Sequence, residues 1–187
     1  LRLSLADPLK LIVGACSSTW KPDAVGWGGA DGYNFDKNAF TPYAGLLFDL
    51  NENYTAYVSY TEIFNPQSYQ DRNGSWLDPL DGKSYEAGLK GEWLDGKLNA
   101  RAALFQVEQD NVAQPDNGYF VPGTPNQAYR AAQGTRTRGF DLEVSGEIAP
   151  GWNMAAGWSH WTGRHGDGAA IQTNQPRSLV RLFTTYR

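Results

Sequence analysis

Apolar and polar residues alternate with a period of two along most of the chain, which predicts strands with one apolar and one polar face. The alternation is sharpest in SYEAGLKGEWL, where Tyr85, Leu89 and Trp93 share one face and Glu86 and Lys90 lie on the other. RTRGFDLEVSGEIAPGWNMAAGWSHW repeats the pattern on either side of a turn. The chain is therefore predicted to be all-β.

The same pattern predicts an antiparallel up-and-down meander, because tight turns alternate with long connections. The predicted strands are residues 2–6, 9–20, 41–50, 54–63, 84–94, 97–110, 135–148, 152–162 and 178–187. The tight turns are at Asp7-Pro8, Asn51-Glu52-Asn53, Asp95-Gly96 and Ala149-Pro150-Gly151. The other connections, residues 21–40, 64–83, 111–134 and 163–177, are long and polar, and we expect them to be without regular structure. Short turns at one end and long loops at the other are typical of outer-membrane β-barrels, with periplasmic turns and extracellular loops.

The apolar face could meet either a protein core or lipid. It is rich in Ala and Gly and carries aromatic residues toward strand ends, such as Tyr85, Trp93, Trp152 and Trp158. Sandwich cores prefer larger aliphatic residues, whereas aromatic girdles flank the lipid-facing band of a barrel. The composition of this face therefore favours a transmembrane barrel. A mean hydropathy of -0.53 is compatible with that fold, because only alternate residues of each strand meet lipid.

Composition excludes several other classes of protein. The formal net charge of -4 over 187 residues gives no basic footprint for nucleic acid. The single cysteine, Cys16, excludes an intrachain disulfide and is interpreted as a small strand residue. His160, His165 and Asp167 lie close in sequence, but their spacing without a scaffold does not predict a metal site.

Catalytic patterns are also weak. The serines of the predicted strands, such as Ser59 and Ser145, have no flanking nucleophile-elbow glycines. Asp141 and Glu143 share one strand face and could form an acid/base pair, but solvated charge in a barrel lumen is the simpler interpretation. We expect the protein not to be an enzyme.

Three blocks of the sequence resemble one protein family. They are FTPYAGLLFDLNENYTAYVSYTEIFNPQ, LDGKSYEAGLKGEWLDGKLNARAALFQVEQDN and YRAAQGTRTRGFDLEVSGEIAPGW. Together they resemble the barrel of TonB-dependent outer-membrane receptors, in the branch of ferric-siderophore receptors for hydroxamate and pyoverdine-type chelates. The resemblance covers nearly the whole chain.

The resemblance implies a barrel of about 22 strands with a plugged lumen, located in the bacterial outer membrane. It implies binding of a ferric siderophore and its uptake with energy from the TonB complex, which would act through an N-terminal region. We expect residues 1–187 to be a partial barrel domain, without the plug domain and the remaining strands. The other expected partners are outer-membrane lipid and lipopolysaccharide. No cofactor is expected, since the iron would arrive inside its chelator as the ligand.

Aromatic residues at the long-loop end are the candidates for binding that chelate, because a bulky chelate needs stacking area and hydrogen bonds. Strand parity selects Trp20 and Trp161 on the polar face. The loop candidates are Trp27, Tyr33, Tyr69, Trp76, Tyr119 and Phe120. The alternative for each is a role in packing loops together.

Two alternatives remain open from the residues alone. One is a small self-closed outer-membrane barrel enzyme, although an odd number of strands cannot close antiparallel throughout. The other is a soluble, Trp-rich carbohydrate-binding sandwich, which would fold in water.

Overall fold

The chain forms one large antiparallel sheet and a separate hairpin in a computed structural model that describes residues 1–21, 37–132 and 134–187. The strands are β1 (Arg2–Ala6), β2 (Leu9–Trp20), β3 (Lys37–Asp49), β4 (Tyr54–Asn65), β5 (Leu80–Trp93), β6 (Leu98–Asp110), β7 (Val112–Phe120), β8 (Gln127–Ala132), β9 (Thr135–Ala149), β10 (Trp152–His165) and β11 (Ser178–Tyr186). Nine of them form the sheet in the order β1-β2-β3-β4-β5-β6-β9-β10-β11. Within the described ranges, no helix has the length and apolar composition needed to cross a membrane.

The nine predicted strands are all present and pair as an up-and-down meander, which confirms the predicted fold. Four of them are longer than predicted at the long-loop end. β3 begins at Lys37, β4 ends at Asn65, β5 begins at Leu80 and β10 ends at His165. The reason is that the hydrogen-bonded ladders continue, as the pair Asn65↔Leu80 shows. Alternation weakens in these extensions, so the sequence pattern did not detect them.

The prediction that residues 111–134 lack regular structure is wrong. This connection contains the hairpin of β7 and β8, which pair from Val112↔Ala132 to Pro115↔Tyr129 and again at Phe120↔Gln127. The hairpin is inserted between β6 and β9, which are direct neighbours in the sheet.

Local chemistry explains the tight turns. The Asn51 side-chain oxygen accepts hydrogen bonds from the backbone N–H groups of Asn53 and Tyr54, at 2.9 and 3.0 Å, which is an Asx turn. Asp95 and Gly96 both adopt positive φ, 54° and 83°, between β5 and β6. Such conformations suit Asp-Gly in a hairpin connection.

The apolar face of the sheet is open. Val58, Leu104 and Leu142 on this face are 52%, 68% and 41% exposed, and in the described part of the chain no second sheet covers them. This finding contradicts the sandwich alternative, which needs two packed layers. Aromatic pairs lie toward both ends of the strands: Tyr54–Trp93 near the short turns, and Tyr60–Tyr85 and Phe140–Trp158 nearer the long loops. The arrangement matches a lipid-facing band between aromatic girdles.

Candidate functional site

Charged side chains form a network on the polar face of the sheet. The two terminal nitrogens of Arg101 lie 3.8 Å from Glu86 Oε1 and 3.9 Å from Asp141 Oδ2. The Tyr57 hydroxyl donates to Glu86, and Lys90 Nζ lies 5.0 Å from the centre of the Tyr57 ring. Opposite charges therefore link β5, β6 and β9, and the Tyr57 hydroxyl and ring join β4 to them, on a face that can keep its hydration.

A glycine makes room for the aromatic ring in this network. A Cβ atom on Gly88 would lie 2.6 Å from the Tyr57 ring and 2.7 Å from the carbonyl oxygen of Ala102. Gly88 and Tyr57 are cross-strand partners, so the ring lies flat over the glycine. The hydroxyl can then reach Glu86.

At the long-loop end, two connections pack against each other. We call residues 66–79 and the β7–β8 hairpin the docked loop pair. Arg72 joins them: its Nε and a terminal nitrogen lie 2.8 and 2.6 Å from Asp116 Oδ2, and its guanidinium carbon lies 3.5 Å from the Tyr119 ring centre. Tyr69 packs on Tyr129 with ring centres 4.3 Å apart. A backbone hydrogen bond from Tyr129 to the Gln70 carbonyl, 2.8 Å, adds a further link.

The docked loop pair has a small core of its own. Ala128 and Val121 are 0% and 6% exposed, and the Asp116 carboxylate is buried with them at 8%. Because Asp116 accepts hydrogen bonds from Arg72, the pKa of the arginine is raised above its ordinary value. The Gln127 amide donates to the carbonyls of Asp116 and Tyr119, both at 2.9 Å, and closes the part of the hairpin where the ladder is interrupted.

Asp71 shapes the tip of residues 66–79. Its carboxylate accepts hydrogen bonds from the backbone N–H groups of Ser75 and Asn73, at 2.8 and 2.9 Å. These bonds lower the pKa of Asp71 below its ordinary value. Gly74 has φ +83°, which the turn requires.

The structure places four of the predicted ligand-binding residues in the docked loop pair. Tyr69 and Tyr119 make the ring contacts described above, and Trp76 pairs with Gln70 across the tip of the loop. Phe120 ends β7 and is 58% exposed. Packing accounts for part of the surface of these rings, yet Tyr69 and Tyr119 remain 42% and 47% exposed.

Trp161 lies on the polar face, as parity predicts, beneath the last connection. Its indole N–H donates to the Pro176 carbonyl, 3.2 Å away, and its backbone N–H donates to Arg177. Ile171 packs over Gly163 beside the indole, with Ile171 Cδ1 2.8 Å from the Cβ position of the glycine. The connection between β10 and β11 therefore folds back over this tryptophan.

Trp20 and Trp161 are not brought together in the described part of the chain. Trp20 ends β2 opposite Lys37, whereas Trp161 lies on β10, several strands away in the sheet. Trp27 and Tyr33 lie outside the described residues. The ligand-binding role of all these aromatic residues stays a prediction.

Three further residues at the long-loop end, Phe105, Arg72 and Asp116, were not among the residues predicted from the sequence. Phe105 lies on the polar face, where its ring covers Gly139 next to Trp161; a Cβ on that glycine would lie 2.5 Å from the ring. The parity that selects Trp161 also selects Phe105, so this residue could have been found. Arg72 and Asp116 could not, because their contact joins loops 44 positions apart.

The described residues contain no group of three or more His, Cys, Asp or Glu side chains arranged to hold a metal ion. His165 Nδ1 is buried and has no hydrogen-bond partner among them. Cys16 is an exposed free thiol on β2.

Comparison with known proteins identifies the family. The family model described as "TonB dependent receptor-like, beta-barrel" matches residues 1–187. The ferric-pyoverdine 358 receptor of Pseudomonas putida is 40% identical over 190 residues, an alignment that covers 100% of this chain and 23% of that receptor.

Two solved structures contain a region with the same fold as nearly all of this chain. The alcaligin outer-membrane receptor of Bordetella pertussis is 50% identical, with a TM-score of 0.84 over 100% of this chain and 32% of that one. The pyoverdine outer-membrane receptor of Pseudomonas aeruginosa PAO1 bound to pyoverdine is 36% identical, with a TM-score of 0.87 over 99% of this chain and 27% of that one. The chain thus spans less than a third of the length of each of these relatives. It belongs to the TonB-dependent receptor β-barrel family of the bacterial outer membrane.

Proposed function

We propose that the protein containing this chain is a receptor that binds a ferric siderophore of the hydroxamate or pyoverdine type and imports it across the outer membrane. The observation that carries the proposal is the similarity of this chain, over 99% of its length, to part of a receptor solved with pyoverdine bound, at a TM-score of 0.87. In this role the apolar face meets lipid and the polar face lines the lumen.

The long-loop end supplies suitable chemistry for capturing the chelate. Exposed aromatic rings of the docked loop pair, Tyr69, Tyr119 and Phe120, offer stacking area. Trp161 and Phe105 offer further aromatic area on the lumen face below. Iron remains inside its chelator throughout, so the protein need not ligate it.

The polar network around Arg101 suits a hydrated passage. Its charges lie near mid-strand on the lumen face, where they can meet water or another part of the receptor. Uptake would draw energy from the TonB complex through a region outside this chain. The family consists of transport receptors, and we propose that this protein performs no covalent catalysis.

Uptake of radiolabelled iron tests this function. The full-length receptor would be expressed in a strain that lacks its own siderophore receptors, and cells would be given ferric pyoverdine, a ferric hydroxamate or a ferric catecholate. We expect uptake of a pyoverdine or hydroxamate chelate that disappears in a TonB-deficient strain. Failure of a correctly inserted receptor to bind or import any chelate of these two classes would overturn the proposal.

A further inference from the structure

Three aromatic rings on the polar face of the sheet lie across glycines of a neighbouring strand. Tyr43 of β3 covers Gly14 of β2, Tyr57 of β4 covers Gly88 of β5, and Phe105 of β6 covers Gly139 of β9. Each ring and its glycine are directly opposite each other in the sheet. A Cβ atom on any of the three glycines would lie within 3.0 Å of the ring that covers it.

In the described ranges, this cross-strand arrangement is confined to the polar face. Rings on the apolar face pack against other rings, as Phe140 and Trp158 do. Trp93, also on the apolar face, covers Gly91 of its own strand. A cause specific to the polar face is therefore required.

Stability of the sheet does not explain the three glycines. Glycine within a strand weakens it, because it has no side chain to pack. A ring can offset part of this loss by covering the glycine, but an alanine would avoid the loss. What the missing Cβ provides is space, because side chains of a strand otherwise stand roughly perpendicular to the sheet. A ring that lies across a glycine projects less far from the wall than a ring that stands upright.

The three pairs follow the lumen wall from the level of the candidate capture residues inward. Gly139, which Phe105 covers, is the cross-strand partner of Trp161. The Tyr57 pair lies one same-face position nearer the short turns, and the Tyr43 pair lies one such position nearer the long loops. The pairs thus span roughly 14 Å along the strands. A chelate that leaves the long-loop end for the periplasm has to travel along this part of the lumen.

We infer that these three glycines are positioning residues for transport: they let the rings lie flat and so keep the lumen wide enough for the bulky chelate to pass. The inference rests on the proposed function and adds residues that act after the chelate is captured. A flat ring also presents its face to the lumen, which suits transient stacking during passage.

Gly14→Ala provides the cleanest test. The three nearest atoms to its Cβ position all belong to the Tyr43 ring, so the added methyl group displaces the ring rather than the backbone. Backbone carbonyl oxygens come too close at Gly88 and Gly139, where an alanine would strain the sheet as well. Gly45→Ala is the matched control, because it adds a methyl group to the polar face with its nearest atom 3.7 Å away.

The full-length receptor is expressed in cells that lack other siderophore receptors, with ferric pyoverdine or a ferric hydroxamate as the probe. Equilibrium binding gives the affinity, and initial uptake of radiolabelled iron at saturating chelate gives the maximal rate. Heat-modifiable migration in gels gives the amount of folded receptor, so the rate is expressed per folded barrel. A purely structural defect would lower that amount and leave the rate per barrel unchanged.

We expect Gly14→Ala to keep the affinity of the parent and to lose about threefold or more of its maximal rate, because the displaced ring hinders a step after binding. Gly45→Ala should match the parent in both values. Gly14→Ala/Tyr43→Ala should regain the rate of the parent, since no ring remains to be displaced, and Tyr43→Ala alone should transport as the parent does. Gly45→Phe adds a ring without a glycine opposite it, so it should slow uptake as well and serves as the test if Gly14→Ala does not fold.

Equal maximal rates of the parent and Gly14→Ala would overturn the inference, as would a parental rate in Gly45→Phe. An equal loss of rate in Gly14→Ala and Tyr43→Ala would also overturn it, because the ring itself would then be needed rather than its position. The same holds for a loss of uptake that weaker binding fully explains. A parent that imports neither probe would overturn the proposed function, and this inference with it.

Discussion

Arg72 holds the two extracellular loops together by contacting Asp116 and the Tyr119 ring at once. The carboxylate that it binds is 8% exposed, so removal of the arginine leaves a buried charge without its partner.

Arg72→Ala should loosen the β7–β8 hairpin without unfolding the barrel. We expect faster hydrogen exchange in residues 112–120 and 127–132 of the full-length receptor, while β9 and β10 keep their protection. Asp116→Asn is the matched variant, because the amide oxygen can still accept a hydrogen bond from Arg72. Unchanged exchange in the hairpin of Arg72→Ala would show that the loops do not depend on this contact.

Protonation of Asp71 at low pH should open the tip of residues 66–79, the loop between β4 and β5. Its pKa is depressed in the folded state, so its stabilising contribution is present above the ordinary value of 3.8 and is lost as pH falls through the folded value. Hydrogen exchange around residues 71–76 should therefore accelerate below about pH 3.8. Asp71→Asn keeps an acceptor oxygen and should remove most of this pH dependence; a parent loop that is equally protected on both sides of that pH would contradict the assignment.

Arginine on the apolar face should hinder insertion of the complete barrel. Leu89→Arg and Val144→Arg place a charge on the lipid side, at a cost of about 2–4 kcal/mol near the membrane centre. Leu94→Arg is the control, since Leu94 lies in the short turn between β5 and β6. The fraction of heat-modifiable receptor in outer membranes measures insertion, and normal insertion of both strand variants would reject the lipid-face assignment.

Loss of the tryptophans on the lumen face should weaken capture of the chelate. We expect Trp161→Ala and Trp20→Ala to reduce affinity for the ferric siderophore several-fold each, as one lost aromatic contact is worth about 0.5–1.5 kcal/mol. Trp152→Ala is the control, because Trp152 lies at the short-turn end of β10. Fluorescence quenching of the full-length receptor gives the affinities, and two unchanged values would remove these residues from the site.

Gly88→Ala should destabilise the barrel by displacing the Tyr57 ring, with an expected cost of about 1–3 kcal/mol for overpacking. Gly45→Ala is a matched control on the same face, because the nearest atom to its Cβ position is 3.7 Å away. The thermal unfolding midpoint of Gly88→Ala should be clearly lower than that of Gly45→Ala. Similar midpoints would mean that the ring moves aside without cost.

Strand positions were predictable because the two faces of each strand differ in polarity, and this difference appears in the sequence as alternation of apolar and polar residues. Leu142, Val144 and Asp141 could be assigned to faces without a structure, and Trp161 lies on the face that parity gives it. The β7–β8 hairpin left no such trace, since Pro115 and the run Asp116-Asn117-Gly118 interrupt its alternation. Contacts with residues 66–79 stabilise the hairpin, and these contacts depend on tertiary packing.

The position of the hairpin between two adjacent strands has an evolutionary consequence. β6 and β9 pair directly, so the segment between them can be replaced without altering the register in which these two strands pair. The ion pair of Arg72 with Asp116, however, ties that segment to the loop between β4 and β5. A new ligand preference that arises by exchange of extracellular segments would therefore require both loops to change together.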